Sequence, residues 1–295
     1  MPDIALPLIL AATGALIAAP LHLIYNRLPE TWLQDYDYDP QNSGARPAKR
    51  MKFIPHTLIL IPVIALLFFL GAYLNPLFFE NKQIFRILLM FFPIAPFALI
   101  VMSDKLNRII PDQLVIFAGA ISVFGFLSDV LYGSLWFPDK PFYYALLNRV
   151  IGAVIGAGLL WGIGFIGAVI SKQEAMGQGD VKFIFACGLL AGTYGLIFVF
   201  FFAFIIGGVA AVPLLVRKRM RLAREEKSIR ESSNPAKARR RLEREKEAIP
   251  FSEDPDYIAF GPFLALGTVC FLLFETPVYA YFADMIKPSL ELMFG

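Results

Sequence analysis

The sequence predicts an all-α, polytopic integral membrane bundle, and two observations carry that prediction. Hydrophobic residues make up 57% of the 295-residue chain, the mean hydropathy is +0.62, and only 17% of residues are charged. Soluble domains carry about 25% charged residues. The apolar residues also form several charge-free runs of about 20 residues, the length of a membrane-spanning helix. A membrane β-barrel would alternate apolar and polar residues, and these runs are apolar on every face.

About eight membrane-spanning helices are expected from these runs. The longest run, 183–216, holds 34 uncharged residues. As one helix it would measure about 50 Å, against a hydrocarbon core of about 30 Å, so we expect it to break at 192–195 into two spans. The eight expected spans are 4–24, 57–74, 84–102, 113–131, 150–170, 183–195, 196–216 and 257–274.

Positive charge predicts how the bundle is oriented. Of the 27 Lys and Arg residues, 22 fall in four alternate loops, at 25–56, 103–112, 171–182 and 217–256. Cytoplasmic loops carry such an excess. The N-terminus is therefore expected outside, in a multi-pass protein of the bacterial inner (cytoplasmic) membrane. It lacks a basic n-region, so the first span is expected to be retained and not cleaved as a signal peptide.

Four segments follow from this arrangement. They are the first span with its cytoplasmic loop, a catalytic membrane core, a basic cytoplasmic loop and the last span with its tail, at 1–56, 57–216, 217–256 and 257–295. Residues 217–247 hold 13 Lys and Arg against six Glu. This composition predicts an exposed helix that is broken near Pro235 and lies close to anionic lipid headgroups. No nucleic-acid partner is expected, since no aromatic platform accompanies the charge.

Two aspartates at the ends of apolar spans are the candidate catalytic residues. Asp104 follows one long apolar run and Asp180 precedes another, and both are expected at the cytoplasmic face. Ionisable groups at such depth are costly and usually functional. Two close carboxyl groups share one proton, so one can act as base and the other as acid in hydrolysing a peptide bond. Asp180 precedes an apolar helix whose dipole favours its anion, and we expect it to start as the base. The alternative is that each aspartate is a cap or interface residue.

Several neighbours are expected to shape this site. Gly177 and Gly179 would let a substrate backbone come close as an extended strand. Lys182 is expected at the interface, where its charge could bias the protonation of the pair. Asp112 is the alternative to Asp104 as a catalytic residue. Because it follows Pro111, it is better explained as the N-cap of the span that begins at residue 113.

Motifs in a fixed order run along nearly the whole chain. They are Asn26-Arg27-Leu28-Pro29, Asp104 with Ile110-Pro111-Asp112, Gly177-Gln178-Gly179-Asp180 with Lys182, and Phe260-Gly261-Pro262 opening an apolar segment that ends at Gly267. Their order and spacing resemble those of the type IV prepilin peptidase family, which are GxGD aspartyl proteases. A glycine-rich span before the third motif also fits.

The resemblance implies a prepilin leader peptidase, an aspartic endopeptidase that cuts just after a glycine at the cytoplasmic face. It implies Asp104 and Asp180 as the catalytic pair, no metal for proteolysis, and type IV pilus prepilins or type II secretion pseudopilins as substrates. Many family members also carry two Cys-x-x-Cys pairs with zinc-site spacing and N-methylate the product with S-adenosylmethionine. The loop 30–56 has no cysteine. Zinc is therefore not expected, and S-adenosylmethionine would be needed only if methylation is retained.

Glycines at GxxxG spacing raise the question of self-association. Gly152/Gly156 and Gly158/Gly162 allow close helix packing, which we expect inside the bundle, with a homo-oligomer seam as the alternative. Two other functions compete with proteolysis. A proton- or ion-coupled transporter would place acids near mid-membrane in inverted repeats, and a non-catalytic scaffold would tolerate the loss of either aspartate.

Overall fold

The computed structural model describes residues 4–34, 47–137, 140–171, 177–232, 234–247 and 259–281. Within these residues every regular element is helical and no β-strand occurs, which confirms the all-α prediction. The α-helices are α1 (Ala5–Ala18), α2 (Leu21–Arg27), α3 (Leu58–Leu74), α4 (Pro76–Glu80), α5 (Ile84–Phe91), α6 (Ile94–Asn107), α7 (Asp112–Tyr132), α8 (Phe142–Ser171), α9 (Gln178–Glu231), α10 (Pro235–Glu247) and α11 (Gly261–Tyr281). A short 3-10 turn at Glu30–Trp32 and a π-helical turn at Phe53–Thr57 precede α3.

Seven helical stretches in the described part of the chain are long and apolar enough to cross a membrane. They are Ala5–Arg27, Phe53–Leu74, Ile84–Asn107, Asp112–Tyr132, Phe142–Ile170, Gln178–Glu231 and Gly261–Tyr281. The multi-pass membrane class is thereby confirmed. The difference from the eight expected spans lies in α9, whose 54 residues include one non-helical position.

Helix α9 reverses direction at Gly192, where φ is 73° and ψ is 177°. On the facing helix α8, a Cβ placed on Gly156 would lie 3.2 Å from Leu196 and 3.3 Å from Ile184. Residues twelve apart on a straight helix are separated by about 18 Å. They can share one neighbour only because the chain folds back between them. The predicted break is confirmed, and α9 is a helical hairpin.

The two arms of α9, at 178–191 and 193–231, hold the centre of the bundle. A Cβ on Gly195 would lie 2.5 Å from the Phe271 ring, and one on Gly267 would lie 2.5 Å from the Val199 carbonyl oxygen. Helix α11 therefore packs tightly against the second arm. Seven candidate spans are found where eight were expected, and the difference is that α9 holds both arms.

The glycines of α8 divide into two classes. A Cβ on Gly152 would lie 2.6 Å from the Gly192 carbonyl carbon and 2.7 Å from the Thr193 nitrogen. Backbone atoms of the hairpin turn therefore leave no room for a side chain there. Gly158 and Gly162 have nothing within 4 Å of the same position. The first GxxxG pair thus serves packing within the bundle, as expected.

We expect Gly152→Ala to destabilise the protein and Gly158→Ala to leave it unchanged or slightly more stable. Both changes gain about 1 kcal/mol of helix propensity, so their difference isolates the clash at the α9 turn. Overpacking of this kind costs about 1–3 kcal/mol. Thermal unfolding in detergent measures the effect. Equal melting temperatures for the two variants would contradict the tight packing of α8 on the turn.

Arg149 on α8 holds the end of the first arm that lies farthest from Asp180. Its guanidinium donates hydrogen bonds to the carbonyl oxygens of Leu189 and Leu190. It also forms an ion pair with Asp129, at 2.9 Å and with both side chains about nine-tenths buried. A cation that binds the last carbonyls of a helix stabilises that end. The turn at Gly192 is thus anchored to α7 and α8.

The basic segment extends α9 as an exposed helix and then breaks. Helix α9 ends at Glu231, and α10 begins at Pro235, so the predicted break is confirmed. The Asn234 side chain accepts a hydrogen bond from the Lys237 N–H at 3.1 Å, the usual N-cap contact. On the exposed end of α9, Glu226 pairs with Arg230 one turn farther along, at 3.8 Å.

Candidate active site

Asp104 lies in the last turn of α6 and is buried, with 7% of its surface exposed. The helix ends just beyond it because Arg108 adopts a left-handed conformation, with φ 60° and ψ 31°. The Arg108 N–H donates a hydrogen bond of 3.0 Å to the Asp104 carbonyl oxygen. An apolar span followed by this C-terminal turn therefore places the carboxyl group at the edge of the bundle, close to the positive charge of Arg108.

Asp180 lies in the first turn of α9 and is equally buried, at 7% exposed. Gly177 precedes the helix with an extended backbone, and its carbonyl oxygen accepts a hydrogen bond of 3.1 Å from the Asp180 N–H. The positive end of the helix dipole favours an anion at this position. Within the described residues, Oδ1 of Asp180 is buried without a hydrogen-bond partner. A buried acceptor of this kind is costly, which is typical of a site that binds something else.

The fold brings Asp104 and Asp180 together. The two carboxyl groups are near enough for the charge of Asp104 to act on Asp180. Farther along the same two helices, the rings of Phe97 and Phe183 meet edge to face at 5.1 Å between centroids. Helix α6 and the first arm of α9 therefore approach each other near these residues, with the C-terminal end of α6 and the N-terminal end of α9 together, which places the two aspartates at one end of the bundle.

Gly261, at the start of α11, closes this pair from a third side. Its N–H donates a hydrogen bond to the Asp104 carboxylate. A Cβ at this position would lie 2.7 Å from Oδ2 of Asp104 and 2.8 Å from the Ile110 side chain. A side chain at residue 261 would occupy the position of the Asp104 carboxyl group. Gly261 therefore contributes a hydrogen bond to that carboxyl group and also the space in which it lies.

The two glycines of the Gly-Gln-Gly-Asp motif also contact the site. A Cβ on Gly179 would lie 3.2 Å from Cβ of Ile110, and one on Gly177 would lie 3.6 Å from Oδ2 of Asp180. Ile110 is buried and stands between Gly179 and Gly261. The glycines thus let the loop after α6 pack directly on the start of α9.

Asp112 and Lys182 form an ion pair beside the aspartates. Nζ of Lys182 lies 3.0 and 2.8 Å from the two carboxylate oxygens of Asp112, and both side chains are partly exposed. Helix α7 begins at Asp112 itself, so the cap position falls on Pro111. The predicted N-cap role of Asp112 is therefore wrong. Through this ion pair, Asp112 instead links the start of α7 to the start of α9. Pro111, which lies between Ile110 and Asp112 in the chain, is buried.

Ile110, Arg108 and Gly261 are the site residues that residue chemistry missed. Ile110 and Gly261 are apolar and appeared only as members of the motifs, and Arg108 was not singled out. The Phe-Gly-Pro motif was the one signal that pointed to Gly261. Its meaning is clear only when α11 is placed against α6.

No metal centre accompanies this site in the described ranges. Within them, His, Cys, Asp and Glu form no group of three or more that could hold a metal ion. Cys187 and Cys270 are free thiols within helices. The three acids of the first loop, Asp35, Asp37 and Asp39, lie outside the described residues.

A multi-pass helical bundle with two interacting buried carboxyl groups at one end defines the class: a membrane protein with an aspartate-pair site. Residues 90–212, which hold both aspartates, match the model of the type IV leader peptidase family. This match supports the family resemblance that the motifs carry.

Curated relatives point the same way. Over 113 residues the chain is 28% identical to the prepilin leader peptidase/N-methyltransferase of Aeromonas salmonicida. This match covers 38% of this chain and 35% of the relative. Over 160 residues it is 28% identical to the protein of the same name from Burkholderia pseudomallei, covering 52% and 41%. The chain thus matches only about a third to two-fifths of the length of these relatives. No solved structure matches the chain.

Proposed function

We propose that this protein is an aspartyl endopeptidase that cleaves the leader peptides of type IV prepilin-like proteins at the cytoplasmic face of the bacterial inner membrane. The observation that carries the proposal is the meeting of Asp104 and Asp180 inside the segment that matches the leader peptidase family. The names of the relatives support prepilins as the substrate class, and we extend the proposal to pseudopilins.

The pair supplies both the base and the acid of the reaction. The Asp180 carboxylate takes a proton from water, and the resulting hydroxide attacks the scissile carbonyl carbon while Asp104 gives its proton to the carbonyl oxygen. The C–N bond then breaks as Asp180 returns its proton to the leaving nitrogen and Asp104 regains one from the gem-diol. The burial of both groups excludes bulk water and strengthens every charge interaction between them.

The glycines and the ion pair define where the substrate lies. Gly177 is exposed beside Asp180, and its missing side chain leaves room for an extended substrate backbone. The pair of Lys182 with Asp112 holds the 110–112 turn against α9 at the rim of the site. We infer that these residues shape the opening through which the scissile bond reaches the aspartates.

Further parts of the chain support its place at the membrane. The positive-inside distribution of Lys and Arg supports a cytoplasmic position for the aspartates. The exposed end of α9 and α10 carry the basic charge that suits anionic lipids. Homo-oligomer formation and the four-segment division of the chain stay predictions. The relatives are also named N-methyltransferases, so S-adenosylmethionine is the cofactor to expect if methylation is retained, and we assign no residues to it.

The test is cleavage of a prepilin by the purified protein in vesicles, with the product masses measured. A single cut after a glycine at the boundary between leader and apolar segment, unaffected by a chelator, is the expected result, because two carboxyl groups supply acid and base without a metal. Absence of cleavage across a panel of prepilins and pseudopilins would favour the scaffold. Proton uptake into the same vesicles would favour the transporter.

A further inference from the structure

Two parts of the first cytoplasmic loop, residues 25–34 and 47–52, are bound to each other by side chain to backbone hydrogen bonds. We call this pair of segments the clasp. The Asn26 side-chain amide donates to the Met51 carbonyl oxygen and accepts from the Met51 N–H, both at 2.9 Å. The Arg50 guanidinium donates to the Leu28 carbonyl oxygen at 2.8 Å. Met51 is buried and belongs to the same hydrophobic core as the helices of the bundle.

Glu30 is the second junction of the clasp. Its carboxylate accepts hydrogen bonds from the Ala48 N–H and from the side chains of Arg50 and Gln34. Burial alone would raise the pKa of Glu30, but these hydrogen bonds together hold it below its usual range. A lowered carboxyl pKa means that the ionised form stabilises the folded clasp at neutral pH, and this contribution is lost as the pH falls through the pKa.

Asn107 joins the clasp to the helix that carries Asp104. It lies at the end of α6, one turn beyond Asp104. Its side-chain nitrogen donates to the Tyr25 hydroxyl at 2.9 Å and to the Lys49 carbonyl oxygen at 3.2 Å. Its side-chain oxygen accepts from the Lys49 N–H at 2.7 Å. One amide therefore makes three hydrogen bonds to two separate parts of the clasp.

The end of α6 needs such an anchor. The last carbonyl groups of a helix have no partner within it, and helix ends fray. The Asp104 carbonyl oxygen accepts the final turn's hydrogen bond, from Arg108, so fraying would displace the aspartate itself. A misplacement of about 1 Å can cost about a hundredfold in rate.

We propose that Asn107 is a positioning residue, which ties the clasp to the last turn of α6 and so fixes the place of Asp104 relative to Asp180. This inference rests on the proposed proteolytic function. It gives the first cytoplasmic loop a role in catalysis through α6. Asn107 touches no reacting atom.

The test begins with Asn107→Leu, which keeps the size of the side chain and removes all three hydrogen bonds. We expect kcat for leader cleavage to fall about ten- to a hundredfold, with KM within twofold and an unchanged melting temperature. Tyr25→Phe removes one of the three bonds and is expected to lower kcat less. Because both changes act through one amide, the double variant should be no slower than Asn107→Leu alone. Asn81→Leu, the same change at an exposed asparagine that follows α4 and belongs to neither the clasp nor the site, is the control and should cleave at the wild-type rate.

Amide hydrogen exchange supplies a readout that does not depend on cleavage. In Asn107→Leu the amides of residues 103–108 and of Lys49 should exchange faster than in wild type, whereas those of α11 should not change. Unchanged exchange at 103–108 would overturn the inference whatever the protein cleaves. Wild-type kcat in Asn107→Leu would overturn it while leaving the proposed function intact. A wild-type protein that cleaves no prepilin would instead count against the proposed function.

Discussion

Asp104→Asn and Asp180→Asn are each expected to lower the rate of leader cleavage by about a thousandfold or more, as loss of a catalytic group does in other proteases. Asparagine keeps the shape of the side chain but can neither give nor take the proton. Since Oδ1 of Asp180 has no hydrogen-bond partner among the described residues, the Asp180→Asn change breaks no contact of that oxygen that the fold needs. Melting temperatures should therefore stay at or above the wild-type value while cleavage is lost.

The control for this result is Asp112→Asn. It removes the same charge from the same face of the bundle, but it weakens only a partly exposed ion pair with Lys182, an interaction worth about 1 kcal/mol or less. We expect a loss of cleavage of less than about tenfold. If Asp112→Asn abolished cleavage while Asp104→Asn retained it, the assignment of the pair would be wrong.

Gly261→Ala is expected to lower kcat about a hundredfold with little change in stability. The added methyl group would lie 2.7 Å from Oδ2 of Asp104, and the carboxyl group is the part free to move away. The displacement costs little because it involves the end of a side chain, but it moves the reacting atom. Cleavage kinetics and thermal unfolding measured on the same sample separate the two effects.

A matched control lies between α11 and the second arm of α9. A Cβ on Gly207 would lie 3.4 Å from the ring of Phe263, an ordinary contact. Gly207→Ala should therefore cleave at the wild-type rate. If Gly261→Ala did so too, the close approach of α11 to Asp104 would not exist in the membrane-embedded protein.

The sequence predicted those features that depend on composition and on chain direction. The all-α membrane class follows from charge-free runs, and the break in α9 follows from comparing a 34-residue run with the membrane thickness. The placement of Asp104 and Asp180 at one end follows once the spans are counted correctly. These arguments need no knowledge of which helices touch.

The features that were missed depend on such contacts. Asp112 looked like an N-cap because it follows Pro111, but the nearby Lys182 binds its carboxylate across 70 residues of chain. Gly261 and Ile110 carry no polar group that could mark them in a sequence. In the clasp, side chains bind backbone groups, which every residue has. Only the fold therefore shows that Asn26 binds Met51 and that Asn107 binds Lys49, two residues of the same segment.

The anchored turn at Gly192 sets the direction in which the site can open. Arg149 fastens the far end of the first arm to α7 and α8 through Asp129 and two helix carbonyls, whereas the near end is tied to α7 by the partly exposed ion pair of Lys182 with Asp112, which is a weaker interaction. An arm held more firmly at one end than at the other tilts more easily than it slides. Substrate entry should therefore widen the gap between α6 and the start of α9 as a wedge, with its apex at the opposite side of the membrane.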